Sequence, residues 1–376
     1  MTATQCSISA LSDGELLRLC TDYARVMMLY PEDIACLEKL SSDSPMAAFV
    51  LGRYYHLMGD PKMFPKVREL YDFSERGGCP EATFGKSLVF RRGDEGCVDR
   101  LKYVKMRDEA ARKGSLLARM QRCKDKYSYY DGYGDVAEAI AEIRHEIASS
   151  PDADPAWHCL LGWALEGAGL REDAYEAFKT GTCKGCLMAW EGRLYLHPRD
   201  REELSEAQRA GCGVAYVVEA QELLGKYEDA PSMEREDLHA RIEKLLLSAM
   251  SLGSEVGYCM LGRALYFGMG GFEQSRSKAW NLLMKSGQMG CGVAYDFLAE
   301  MIDDGGEVPQ GYGKEQKAIF ELLALRLGDE ECLEDVVTAY RCGFLQEYAD
   351  EIEEYYIPEY EDEEGEEDDG RWDAYV

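Results

Sequence analysis

Short apolar stretches with helical spacing alternate with glycine-rich breaks along most of the chain. The clearest stretch runs from Gly257 to Gly287. Leu261 and Leu265 fall on one helical face in its first half, a run of glycines breaks the helix, and Ala279 and Leu283 form a second face. The pattern predicts a helical hairpin, which cannot bury its apolar face without a neighbour.

Five further stretches follow the same plan. They are Met46–Gly77, Glu81–Gly114, Asp154–Gly181, Ala189–Gly211 and Gly290–Gly328. The closing glycines Gly77 and Gly114 are 37 residues apart, a period typical of two-helix units that stack into a solenoid. Gly287 is predicted to be the left-handed cap that ends its unit.

A glycine inside the first helix, present in five of the six units, is the most regular feature. It is Gly262 in the clearest unit, and Gly52, Gly85 and Gly162 take the same place elsewhere. An interior glycine destabilises a helix by roughly 0.5–1 kcal/mol relative to alanine. We therefore expect a neighbouring helix to approach closely at this position.

These motifs resemble Sel-one-like (Sel1-like) repeats, which are relatives of tetratricopeptide repeats. The resemblance covers roughly residues 45–330 and rests on Leu261-Gly262, Lys278-Ala279-Trp280 and Ser286-Gly287, with Ala110–Gly114 as a second unit end. The unit that starts at Trp157 is closer to a tetratricopeptide repeat. The resemblance implies an all-α protein, a right-handed α-solenoid of stacked helical hairpins, which binds other proteins and has no chemistry of its own.

The chain is predicted to divide into five segments. They are an N-terminal helical cap at 1–44, a first repeat block at 45–130, a linker helix and candidate hinge at 131–153, a second repeat block at 154–349 and a disordered acidic tail at 350–376. The tail is assigned from composition, since Asp350 to Asp373 carries 14 acidic residues and one basic residue. Such a segment cannot bury a core.

Charge and composition argue against several classes of function. The net charge of −29 argues against general binding to nucleic acid or to an anionic membrane. A run of about 18 apolar residues, as a membrane span requires, is absent from the sequence. The first twenty residues lack the basic start and apolar block of an export signal, so the 14 cysteines are expected to be reduced thiols in the cytoplasm.

The residue that follows the helix glycine is basic in four units and aromatic in a fifth. This set consists of Arg53, Lys86, Trp163, Arg193 and Arg263. First helices form the concave side in the resembled family, which implies a strip inside the groove that binds a partner protein through an acidic peptide. Ordinary solvated charge remains the alternative.

Residues 91–126 add a local positive excess, with 12 Lys and Arg against 6 Asp and Glu. An acidic tail that is tethered to the same chain has a high effective concentration near such a region. We therefore hypothesise that the tail folds back onto residues 91–126 until a partner displaces it. The alternative is a tail that only confers solubility.

The sequence predicts a non-enzymatic interaction scaffold without a cofactor or metal. Two alternatives stay open. The tail could act as a mimic of nucleic acid on a basic protein, or Cys183 and Cys186 could form a zinc or redox site. The spacing of these two cysteines suits zinc, but a structural site needs two further ligands, for which Cys159 and Cys212 are the candidates.

Overall fold

The computed structural model describes residues 8–93, 98–127, 136–150, 152–198, 200–305, 309, 311–327 and 329–357, and its regular elements are helical. The helices are α1 (Asp13–Thr21), α2 (Tyr23–Met27), α3 (Pro31–Leu40), α4 (Pro45–Met58), α5 (Phe64–Arg76), α6 (Pro80–Arg92), α7 (Arg100–Arg112), α8 (Leu116–Tyr127), α9 (Val136–Ser149), α10 (Ala156–Gly167), α11 (Arg171–Cys183), α12 (Met188–Leu196), α13 (Arg201–Ala210), α14 (Gly213–Tyr227), α15 (Ser232–Ser251), α16 (Glu255–Phe267), α17 (Arg276–Gln288), α18 (Gly292–Asp303), α19 (Lys314–Arg326) and α20 (Leu333–Arg341). Ala349–Glu351 and Ile352–Tyr356 follow as one C-terminal turn (residues 349–357).

Consecutive helices from α4 to α19 pack as hairpins, and each hairpin packs on the next. The fold is therefore an all-α solenoid of stacked hairpins, as predicted. The six predicted units correspond to α4–α5, α6–α7, α10–α11, α12–α13, α16–α17 and α18–α19. Two hairpins, α8–α9 and α14–α15, were not among the predicted units, because α8 contains no glycine and the Leu224-Gly225 pair of α14 lies at the end of its helix.

The interior glycines lie where two helices meet, as expected. A methyl group on Gly262 would lie 2.9 Å from Leu283 Cγ of α17. Gly52 of α4 and Gly85 of α6 face the same ring, that of Tyr71 in α5. A side chain from the second helix of a hairpin therefore fills the space that each glycine leaves.

The closing glycines are one to four residues later than predicted in three units. Gly287 lies inside α17 against the ring of Tyr295, and Gly290 takes the left-handed conformation with φ of +110°. The N–H of Cys291 then donates to the carbonyl of Ser286 at 3.2 Å. This is the six-residue hydrogen bond of a Schellman cap. Position 287 requires glycine because another helix packs closely against it, and position 290 requires glycine because the turn needs a positive φ.

The same displacement occurs at two other unit ends. Gly78 and Gly185 take the left-handed conformation, and the predicted glycines Gly77 and Gly181 precede them. The predictions of Gly114 and Gly211 are confirmed, since both have positive φ.

The N-terminal segment does not act only as a cap on the end of the array. Helices α1, α2 and α3 all pack on α4, but α1 also packs on α8, and α1 and α2 extend to the starts of later hairpins. Four polar contacts hold them there: Thr21 Oγ1 to Asp154 (2.9 Å), the Leu187 N–H to Asp22 (2.6 Å), Tyr23 to Glu191 (3.2 Å) and Arg25 to the Gly185 carbonyl (2.5 Å). The concave side is thus occupied by the chain itself and is not an open groove.

The array curves until its first hairpin meets its seventh. Lys285 Nζ of α17 donates to the carbonyl of Met58 in α4 at 3.4 Å. The backbone of Gly59 lies directly against the carbonyl of Gln288. This closure surrounds α1 and α2 with repeats.

Two predicted boundaries change. Helix α9 was expected to be a linker, but it packs on α8 and α10 as the second helix of a hairpin. The tail was expected to begin at Asp350, but the C-terminal turn buries Ile352 and Tyr356 and continues the fold to residue 357. Residues 131–135 and 151 of the candidate hinge, residues 128–130 before it and residues 358–376 of the tail lie outside the described residues. None of the described helices combines the length and apolar character needed to cross a bilayer.

Candidate functional sites: an internal cavity and an outer pocket

The space that α1 and α2 leave inside the curved array is a cavity of about 590 Å³. Its walls come from the α1–α2 junction, from α4, α6, α7, α8, α10, α12 and α16, and from the C-terminal turn. Sites for small molecules typically measure about 300–1,000 Å³. The cavity is therefore large enough for a ligand.

A buried carboxyl group dominates the polar part of this internal cavity. Tyr23 Oη donates to Glu191, at 3.2 and 3.3 Å from its two carboxylate oxygens. Burial, and after it the nearby carboxylate of Glu255, raise the pKa of Glu191 to about 8, because a second negative charge there is unfavourable. The Glu191 carboxyl is therefore mainly protonated at neutral pH.

Two cations border the internal cavity without an acidic partner. Lys124 lies deep in the protein, but its surface stays accessible because it faces the cavity. Burial, followed by repulsion from Arg91, lowers the pKa of Lys124, and this lysine forms no salt bridge with a described residue. The Nε of Arg53 is buried without a hydrogen-bond partner in the described part of the chain.

Apolar side chains form most of the remaining wall. They include Leu57, Leu88, Met120, Leu160, Trp163 and Met188. Trp163 also packs edge-to-face on Phe178, with ring centroids 5.1 Å apart, so its position is fixed by the core of its hairpin. The cavity thus combines apolar walls with a few polar groups, the usual composition of a small-molecule site.

A second, outer pocket of about 270 Å³ lies among α4, α5, α6 and α7. Its floor is apolar and aromatic, with the buried pair His56 and Tyr71, whose Nδ1 and Oη atoms are 3.3 Å apart. Three cations, Arg68, Lys86 and Lys102, line it together with Asp72, which pairs with Lys86. The pocket therefore offers a hole for one apolar side chain with positive charge around it.

The exposed face of α7 continues this outer pocket. Leu101 and Val104 are 77% and 38% exposed, and Lys102 and Lys105 lie exposed beside them. The Lys102 ammonium sits 3.8 Å from the ring centroid of Phe90, a cation–π contact that fixes its position. Apolar and basic side chains are thus presented together on one surface.

The five predicted partner-binding residues do not form one strip. Arg53 and Trp163 line the internal cavity, and Lys86 lines the outer pocket, where it pairs with Asp72 and Glu75. These three lie at sites that could take a ligand or a partner.

The other two predicted residues have structural contacts. Arg193 is buried, with a side chain 9% exposed, and pairs with Glu203 at 2.8 Å. Arg263 stacks over Phe297, 4.5 Å from the ring centroid. The position after the helix glycine therefore has a different environment in each hairpin, because the neighbouring helices differ.

The sequence analysis missed Glu191 and Lys124. A signal for Glu191 was available, because it occupies the place before the helix glycine that is Leu51, Phe84, Leu161 or Leu261 in other units. An acidic residue at a core position of a repeat indicates a special environment. Lys124 carried no such signal, since its helix lies in the first repeat block but was not matched to any of the six predicted units.

The structure separates the side chains of Cys183 and Cys186, the predicted cysteine pair. Cys183 is exposed at the end of α11, and Cys186 is buried, with its thiol in hydrogen-bonding contact with Cys159 of α10. Among the described residues, no group of three or more His, Cys, Asp or Glu side chains could hold a metal ion.

No family model matches the sequence, and no curated protein matches it either. The solved structures that are similar to this chain include two repeat proteins. One is a Sel1 repeat protein from Oxalobacter formigenes, 16% identical, which covers 66% of this chain over 100% of its own length with a TM-score of 0.39. The other is a protective antigen present in uropathogenic Escherichia coli strains, displaying an SLR fold; it is 17% identical and covers 95% of this chain over 86% of its own, with a TM-score of 0.34. Both are proteins of the repeat type that the sequence motifs resemble.

Proposed function

We propose that this chain is a non-enzymatic protein-interaction scaffold whose docking surface is the outer pocket together with the exposed face of α7. The observation that carries the proposal is the apolar hole lined by Arg68, Lys86 and Lys102, next to exposed Leu101 and Val104. Buried apolar anchors supply most of the binding energy in protein interfaces, and charges at the rim supply orientation and association rate.

Charge complementarity indicates the kind of partner. Residues 91–126 carry 12 basic and 6 acidic residues in a chain of net charge −29. An acidic segment that carries one large apolar side chain matches both the hole and its rim. A groove on the concave side is a weaker candidate for such a segment, because α1 and α2 occupy that side.

The acidic tail starts beside the first turn of α7, which supports an autoinhibitory contact with the basic region 91–126. The ring of Tyr355 stacks under Arg100 at the start of α7, with 4.3 Å between the guanidinium carbon and the ring centroid. The N–H of Val98 donates to Glu351 at 3.4 Å. Residues 358–376 therefore begin next to the basic region and compete with an acidic partner at high effective concentration.

A binding assay tests this proposal with a defined probe, a fluorescent peptide of residues 358–376. The protein is a full-length variant in which the acidic residues of 359–369 are changed to Asn or Gln, so that its own tail no longer competes. We expect salt-sensitive binding that weakens about tenfold in the same protein with Lys102→Glu and Lys105→Glu, because two rim attractions become repulsions.

The matched control reverses Lys226 and Lys244, which are exposed on α14 and α15 and change the net charge equally. Equal weakening in both double variants would show that only net charge matters and would contradict a docking surface on α7. Binding that does not change with salt or with either pair would also refute the proposal.

A further inference from the structure

We propose that the internal cavity is a binding site for a small organic anion, whose charged group lies between Lys124 and Arg53 and whose apolar body lies against Met120, Leu160 and Trp163. This site is separate from the outer docking surface and does not depend on the proposed scaffold function.

The charges around the internal cavity favour an anion. The wall carries the cations Arg53, Arg91, Arg100, Lys124 and Arg326 against two acidic side chains. Arg326 is neutralised by Glu351, with its Nε 2.9 Å from Oε1, so it contributes little. Lys124 and Arg53 face the internal cavity without an acidic partner among the described residues, so an anion that enters it can form charge-assisted hydrogen bonds with them.

The acidic side chains of the internal cavity do not cancel this preference. Glu191 is mainly protonated at neutral pH and accepts a hydrogen bond from the hydroxyl of Tyr23. Its own carboxyl proton remains available as a donor to a ligand oxygen. A neutral carboxylic acid beside an ammonium therefore forms a donor pair for a carboxylate or a similar anion.

The apolar part of the same wall determines the rest of the ligand. Met120, Leu160 and Trp163 come from the first helices of two neighbouring hairpins, α8 and α10, and offer sulfur, aliphatic and aromatic surface. A fully hydrated ion such as sulfate would leave this surface without contacts. An anion with an aromatic or aliphatic body fits both parts of the internal cavity.

Two sources could supply such an anion. One is a free organic acid, and the other is the acidic tail of the same chain, because Tyr356 of the C-terminal turn lines the internal cavity and the tail begins two residues later. The recognition chemistry is the same for both, so the experiment includes an arm that distinguishes them.

The probe is 8-anilinonaphthalene-1-sulfonate, an organic anion with an aromatic body, and its uncharged relative N-phenyl-1-naphthylamine is the comparison. Titration of the full chain measures the affinity of each. We expect Lys124→Met to weaken binding of the anionic probe roughly 10- to 100-fold, since a hydrogen bond to a charged group is lost, and to leave the neutral probe unchanged. Retained binding of the neutral probe also shows that the variant is folded.

The position of the probe is read from energy transfer. Trp163 lines the internal cavity, so Trp163→Phe should reduce transfer from tryptophan to the bound probe more than a change at a distant tryptophan does. The control Lys244→Met removes an exposed lysine from α15 and should change neither affinity. Equal loss with Lys244→Met, or no loss with Lys124→Met, would overturn the proposal.

The last arm uses the full-length variant with the neutralised tail. Tighter binding of the anionic probe in this variant identifies the tail as the natural occupant, and unchanged binding identifies a free organic anion. Both results keep the anion site. Binding that depends on Lys102 and Lys105 but not on Lys124 would place the probe in the outer pocket and refute the internal site.

Discussion

The buried carboxyl of Glu191 should make the protein less stable as pH rises, and Glu191→Gln should remove that effect. Tyr23 contacts this carboxyl, and Asp22 at the α1–α2 junction, Lys124 of α8 and Glu255 of α16 also act on its pKa. Glutamine has the same shape, carries no charge and can still accept the hydrogen bond from Tyr23. The variant therefore isolates the ionisation of one group.

The sign and the size follow from linkage. The pKa of Glu191 is raised to about 8 in the folded protein, from an ordinary value of 4.5. Between these two values the folded state binds a proton that the unfolded state has released, so stability falls as pH rises. Each pH unit in this window contributes about 1.4 kcal/mol, and the loss between pH 6 and pH 8 is about 2 kcal/mol, because the group is half ionised at its own pKa.

Urea unfolding of the wild type and of Glu191→Gln at pH 6 and pH 8 measures the difference. The wild type should lose about 2 kcal/mol more than the variant over this interval. Glu172→Gln, which changes an exposed glutamate on α11, serves as the control and should behave as the wild type does. Identical pH dependence of the wild type and Glu191→Gln would refute the reasoning, because the carboxyl would then ionise as it does in water.

Two further predictions concern packing and the C-terminal turn. Gly262→Leu should lower the free energy of unfolding by at least about 1–3 kcal/mol, since its side chain would enter the contact with Leu283. Gly225→Leu, at an open site on α14, should not lower it. Equal melting temperatures of the two variants would contradict the helix contact. Glu351→Ala should destabilise the folded protein by about 3–5 kcal/mol, because it leaves Arg326 buried without its partner. Replacement of both residues with leucine should restore most of the lost stability. If Glu351→Ala unfolds as the wild type does, the C-terminal turn does not belong to the fold.

Local patterns predicted the hairpins well and their ends less well. The glycine inside the first helix could be read from the sequence, because Gly262 and Gly52 follow a leucine at the same place in each unit. The closing glycines could not be assigned reliably, since a glycine required by packing, such as Gly287, and one required by a turn, such as Gly290, lie three residues apart. Sequence spacing alone does not distinguish these two reasons for a missing side chain.

The candidate sites were harder to predict because they depend on long-range closure. The expectation that equivalent positions of stacked repeats line up places Arg53, Lys86 and Arg193 in one strip, but it does not reveal that α1 and α2 enter the concave side. The contact between Tyr23 and Glu191 joins residues 168 positions apart. No local pattern carries that information, although the acidic residue at a core position was a signal that the site existed.

The path of α1 and α2 has a consequence for the cooperativity of the whole array. Repeat arrays usually unfold as a chain of loosely coupled units, because each unit touches only its neighbours. Here the first segment of the chain makes polar contacts to residues 133, 165 and 168 positions away, in two different hairpins. Loss of either hairpin therefore also loosens the segment that holds the other, so we expect the array to melt as one unit and shortened versions that end at a repeat boundary to be unstable. During synthesis, α1 and α2 leave the ribosome long before α12 exists, so their final docking must wait until the surrounding repeats have formed.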